Sequence, residues 1–185
     1  MMNTSTMPYA GRPRTLVHPG TFNPVRIQSR HSPGARHLRL SLQPGQSLFD
    51  ALLQPLRERG IESASTTILG GYFEQISYCV APPDPTGQAV IAYSKPRSIG
   101  QAAMIFGNAT IGKRQRGSPI VHCHAALRTS VGAVRGGHMV TEACIVGPLP
   151  ITVLVTSLDG FELRVDFDAE TNIPLLKPMP KESHD

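Results

Sequence analysis

Val121-His122-Cys123-His124-Ala125, answered further on by Gly136-Gly137-His138, is the stretch on which the architecture turns. Side chains on a β-strand alternate faces, so a strand here sends His122 and His124 to one side and Cys123 to the other. Ser130 to Gly137 is rich in small residues and can turn the chain back. A hairpin with its midpoint near residues 130 to 132 sets His138 across from His122, His124 or Ala126. Facing Cβ atoms on antiparallel strands lie about 4.5–5.5 Å apart. Three imidazoles then converge on one point, and three protein ligands with a fourth position open is how a catalytic metal site is built. Neutral imidazole suits a divalent metal, zinc first and also iron, nickel or copper.

Outward from this pair, most of the chain reads as strands. Before it lie an alternating segment from Arg36 to Leu42, then Ser65 to Leu69, Phe73 to Val80, Val90 to Tyr93 and Ala102 to Ile111. The histidine strand itself runs Pro119 to Leu127. Met139 to Val146, Ile151 to Leu158 and Phe161 to Phe167 follow, with Asp159-Gly160 as a hairpin signal between the last two. One helix stands out: Ser47 caps it, Leu48, Phe49, Leu52, Leu53 and Leu56 form an apolar stripe, and Gly60 follows its end. Pro55 inside it predicts a kink or an early stop. One or two helices packed on a largely antiparallel sheet define an α+β domain. Residues 36–170 form that domain, between a basic, irregular arm at 1–35 and a tail at 171–185.

The charge is distributed unevenly. The chain is 185 residues long with a formal charge of +5. Residues 1–49 hold Arg12, Arg14, Arg26, Arg30, Arg36 and Arg39 and no acid, so the body beyond them is close to neutral. The basic character therefore belongs to the N-terminal quarter, which argues against a basic DNA-binding surface on the domain itself. Cys79, Cys123 and Cys144 are odd in number and widely spaced, pointing to no disulfide framework and a reducing cytoplasm. The N-terminus lacks an apolar signal region. The longest uncharged run, Ala143 to Leu158, is interrupted by Pro148 and Pro150, so no membrane span is expected. No P-loop, dinucleotide fingerprint or nucleophile–base pair is present.

With these elements placed, residues from about 37 to 160 resemble the plants and prokaryotes conserved (PPC) domain family. The likeness rests on Pro44-Gly45-x-Ser47-Leu48, Gly107-Asn108-Ala109-Thr110-Ile111-Gly112, Gly117-Ser118-Pro119-Ile120-Val121-His122-Cys123-His124 and Gly136-Gly137-His138, in that order. The resemblance implies a small α+β fold on an antiparallel sheet, association as a homotrimer, and a divalent metal at His122, His124 and His138. Plant members carry AT-hooks and bind DNA. Here Gly11-Arg12-Pro13-Arg14 is similar to an AT-hook core, whose arginines enter a narrow minor groove, but Ala10 stands where a basic residue belongs. The family often places an acid three positions after the last histidine; this chain has Thr141 there and Glu142 next. Strand parity puts Glu142 on the face of His138, as a candidate base. The fold also resembles that of acetolactate decarboxylases, a comparison by analogy of fold. Cupins, which also use His-x-His, need a Glu where Arg128 and Thr129 stand.

Two classes of function follow. One is DNA association, with Arg12 and Arg14 of the arm as the contacts and a trimer supplying valency. The other is a metal-dependent enzyme of lyase or hydrolase type on a small carbonyl or carboxylate compound, with His122, His124 and His138 as ligands and Glu142 as catalytic base. Lys113, Arg114 and Arg116 form a basic loop before the histidine strand that could steer an anion.

Overall fold

The computed structural model describes residues 16–25 and 28–181. Its elements in chain order are β1 (His37–Leu42), α1 (Leu48–Arg57), β2 (Ala64–Ile68), β3 (Gly71–Cys79), β4 (Arg97–Lys113), β5 (Pro119–Thr129), β6 (Val134–Met139), β7 (Ile145–Val146), β8 (Ile151–Ser157), β9 (Glu162–Asp168) and β10 (Ile173–Met179). Every ladder is antiparallel except a single parallel bridge between Lys113 of β4 and Arg164 of β9. With α1 as the one α-helix among the described residues, this is the α+β class that the strand pattern predicts.

The sheet runs β1-β8-β2-β4-β5-β6-β3-β7, and β3 pairs β4 as well. The pairings β4–β5, β5–β6, β6–β3 and β3–β4 therefore close on themselves. Strand β4 is long enough to serve both ends of this ring: Gly71 to Tyr78 pair with Arg97 to Met104, β5 pairs from Ala102 to Lys113, and β2 from Gly107 to Ile111. Alternation puts Ile151, Val153 and Val155 of β8 inside, and Ile68, Phe73, Ile76, Ile111 and Leu127 join them in one core.

Helix α1 covers this core with Leu48, Ala51, Leu52, Leu53 and Leu56, while Phe49 is only half-buried. Ser47 Oγ accepts the Asp50 N–H at 3.0 Å, the N-cap bond expected. Pro55 does not cut the helix short at its own position. It falls in the last turn, and α1 ends two residues on, at Arg57.

Four expectations need correction. Val90 to Tyr93 is not a strand: Val90, Ala92 and Ser94 donate their N–H groups to Thr171, Pro82 and Val80, so no continuous ladder partner exists. Met139 to Val146 is not one strand either, because a 3-10 turn at Thr141–Ala143 separates β6 from β7. The turn at Asp159-Gly160 joins two strands that do not pair with each other. It is pinned instead by Arg36 and Ser157, which donate to the Asp159 carboxylate, and by Ser32 Oγ, which accepts the Gly160 N–H. Finally, the stretch read as a tail contains β10, which pairs with β9 from Ile173↔Asp168 to Met179↔Glu162.

The N-terminal segment has no helix or strand where it is described, yet it is docked. His18 Nδ1 lies 2.7 Å from the Glu170 carboxylate, whose second oxygen accepts the Asn23 N–H, and Gly20 N–H donates to the Glu170 carbonyl. Arg12 and Arg14, with the AT-hook-like core, lie outside the described residues. Among the described residues no helix is long and apolar enough to cross a membrane.

Candidate metal centre and its cleft

Strands β5 and β6 form the expected hairpin, and His138 falls directly opposite His124. His122 and His124 share a face, two residues apart on β5, so the three rings meet. Their centroids lie 4.9 Å (His122–His124), 4.8 Å (His122–His138) and 5.4 Å (His124–His138) apart. One ring nitrogen from each falls within 4.8 Å of the others. Zinc–nitrogen bonds of about 2.0–2.1 Å in a tetrahedron place ligand atoms roughly 3.3 Å apart. Modest ring rotation spans that difference.

Cys123 points the opposite way into the core, fully buried, and burial pushes its thiol up to about 12. Cys144 is likewise buried, its thiol raised to about 11 first by burial. Both are core residues with no part in the cluster, and all three cysteines are free.

Gly137 explains why glycine precedes His138. A Cβ there would sit 2.2 Å from the Cys79 carbonyl oxygen, so only glycine lets β6 approach β3 and carry His138 inward.

Electrostatically, two of the three rings resist a proton. Burial, then the neighbouring His138 and His124, hold His122 down to about 4. His138 is lowered too, by burial and by His124, against an opposing pull from Glu142. Neutral imidazole is the form that ligates a metal. His138 Nδ1 is buried with no hydrogen-bond partner in the structure. An unpaired buried nitrogen costs free energy unless something completes it, so both the donor set and this orphaned atom fit a metal ion.

The other residues singled out from sequence are placed as follows. Glu142 sits on the 3-10 turn, so strand parity does not govern it; its carboxylate is exposed, accepts from Thr141 Oγ1 at 3.2 Å and lies 3.9 Å from Arg114. Lys113 is tied to Glu62 at 2.9 Å and Glu162 at 3.2 Å, which leaves its charge compensated. Arg116 is exposed in the loop. Arg114 reaches the site.

In front of His122 and His138 opens a cleft of about 770 Å³, lined also by Ile91, Tyr93, Arg114, Ile120 and β10. The Tyr93 ring packs against His138 with centroids 5.1 Å apart, and burial raises its phenol above its ordinary value. Sequence reading missed Tyr93 as a site residue and β10 as a wall. Both follow from which strands the sheet brings together, and no local pattern announces either.

The Plants and Prokaryotes Conserved (PCC) domain matches residues 29–158. Among solved structures, the metal-containing protein of Archaeoglobus fulgidus is 20% identical, with a TM-score of 0.63, over 82% of this chain and 99% of that one. The Pyrococcus horikoshii plant- and prokaryote-conserved protein is also 20% identical, with a TM-score of 0.63, over 82% of this chain and 96% of its own. The "Putative DNA-binding protein" of Ralstonia eutropha JMP134 is 21% identical with a TM-score of 0.61, over 75% and 89%. At these identities the likeness establishes the fold. No curated protein matches the chain. The resemblance to acetolactate decarboxylases is not carried by these matches.

Proposed function

Because the chain belongs to the Plants and Prokaryotes Conserved domain family, we propose that it is a homotrimeric metal-binding protein that holds one divalent ion, zinc first, on His122, His124 and His138. The observation that carries this reading is the meeting of three imidazoles whose ring nitrogens lie within 4.8 Å, one of them with an orphaned buried nitrogen. The name of the Archaeoglobus protein, metal-containing, supports it. A divalent ion held there supplies a Lewis acid that polarises a bound carbonyl or carboxylate oxygen.

The chain's own residues would do the rest. His122 and His138 face the cleft, β9 and β10 wall one side of it, and the charge of Glu142 reaches His138. A proton-transfer role for Glu142 requires the side chain to leave Arg114 and turn inward. The expected result for the metal is about one zinc per chain by elemental analysis after dialysis against trace zinc. His124→Ala, a change at an exposed strand position, abolishes it while the circular dichroism spectrum stays the same. Substoichiometric zinc that is indifferent to His124→Ala overturns the reading. Sedimentation of the same samples tests the trimer.

A second reading, DNA association through Arg12 and Arg14, is favoured by the basic N-terminal quarter and by the name of the Ralstonia protein. Its test is retention on a DNA column across a salt gradient. Arg12→Ala with Arg14→Ala should elute earlier, by lost phosphate or minor-groove contacts; unchanged elution removes the arm as the contact. Substitution is preferable to deleting residues 1–35, because the described part of that segment is bound to Glu170.

A further inference from the structure

The cleft in front of the histidines has a chemistry of its own. Of its twelve lining residues, Arg114 is the one lysine, arginine, aspartate or glutamate. The walls are apolar: Ile91 and Ile120 on one side, Val165, Ile173, Leu175 and Leu176 on the other. At about 770 Å³ the cleft falls in the range of small-molecule sites, which span about 300–1,000 Å³ and pair apolar walls with few polar anchors.

Arg114 is poorly paired. Among the described residues its guanidinium has one ionic partner, Glu142, at 3.9 Å, with both side chains 54% exposed. An exposed pair at that distance contributes little, so the planar fork of N–H donors remains available to a carboxylate, which it matches in bidentate fashion. Phosphate fits less well, because the adjacent Lys113 is already taken by Glu62 and Glu162, and Arg116 does not line the cleft.

We infer that the cleft binds a small amphipathic carboxylate, its headgroup between Arg114 and the histidines and its apolar body along β9 and β10. The inference rests on the three-histidine reading, since the cleft is the approach to those imidazoles. It explains two features that metal binding alone does not. One is the run of aliphatic side chains that β10 presents to the site. The other is an arginine at the rim of a cleft that no other lysine, arginine, aspartate or glutamate lines.

Calorimetric titration of the full-length protein tests it, with octanoate, octylamine and acetate as probes. Each probe is run on zinc-loaded and on chelator-treated protein, with zinc content measured alongside. Octanoate is expected to bind at least tenfold more tightly than either octylamine, which has the tail and the wrong charge, or acetate, which has the charge and no tail. Arg114→Gln, at an exposed position, should weaken octanoate about tenfold and leave zinc content unchanged. Equal binding of octanoate and octylamine, no octanoate binding, or indifference to Arg114→Gln overturns the inference. The two readings fail separately. Zinc without octanoate selectivity sinks the cleft proposal alone; Arg114-dependent octanoate binding without zinc sinks the metal site and leaves the cleft.

Discussion

His122 shows how burial sets chemistry. Removed from water beside two other imidazoles, it resists a proton down to about 4, where a free histidine titrates at 6.5. Below pH 6.5 the unfolded chain binds a proton that folded His122 refuses. The stability of the metal-free protein therefore falls as pH drops from 6.5 towards 4, and this contribution is flat above 6.5. The expected outcome is a lower melting temperature at pH 5 than at pH 7 after chelator treatment, with the difference reduced in His122→Asn. A melting temperature that rises on acidification would mean the ring is solvated and the cluster more open than described. Gly137 makes a complementary point at the same scale: the reason for its identity is a carbonyl on another strand, that of Cys79.

Among the elements, α1 was the most legible, because capping and apolar spacing are local. Ser47→Ala removes the bond to the Asp50 N–H and should cost about 1 kcal/mol, read from the urea midpoint. The β5–β6 hairpin was equally open to reading, since alternation and a small-residue turn determine which side chains meet. Strand β10 was not. Ile173-Pro174-Leu175-Leu176-Lys177-Pro178-Met179 carries two prolines, which argue against a strand when only local propensity is weighed. The structure resolves the conflict by position. Strand β10 lies at the sheet's edge on β9, and Pro174 and Pro178, four residues apart, present their missing N–H groups to the same side. On the outer edge no donor is required. Likewise Glu142 was assigned by parity on a strand that the 3-10 turn interrupts, so its position depends on a local break in the ladder that alternation does not anticipate.

At the scale of the whole molecule, the site depends on how β9 is attached. Beyond the single Lys113–Arg164 bridge, β9 is held to β4 by charge: buried Glu162 pairs with Lys113 of β4 at 3.2 Å, and Arg164 of β9 itself donates from Nε to the same carboxylate at 2.6 Å. Gly112 lets the strands close, since a Cβ there would meet the Leu163 carbonyl oxygen at 2.4 Å. Glu162→Ala takes a buried acid from Lys113, which keeps Glu62, and from Arg164, and should destabilise the protein by about 1–3 kcal/mol in chemical denaturation. Hydrogen exchange should show β9 and β10 loosening first, while the β5–β6 hairpin stays protected. Uniform loss of protection would show that β9 is not an independently attached wall.

The sequence by itself determined the class of fold, the helix with its cap, the hairpin register and the three histidines, because each follows from periods and turns spanning a few residues. Only the tertiary structure decided that β10 exists as a strand, that β8 and β9 do not pair, and that Tyr93 and Arg114 share a cleft with His122 and His138. Those facts depend on which distant strands lie side by side. Apolar burial and ion pairs acting on the assembled sheet choose that arrangement, and they leave no periodic mark along the chain.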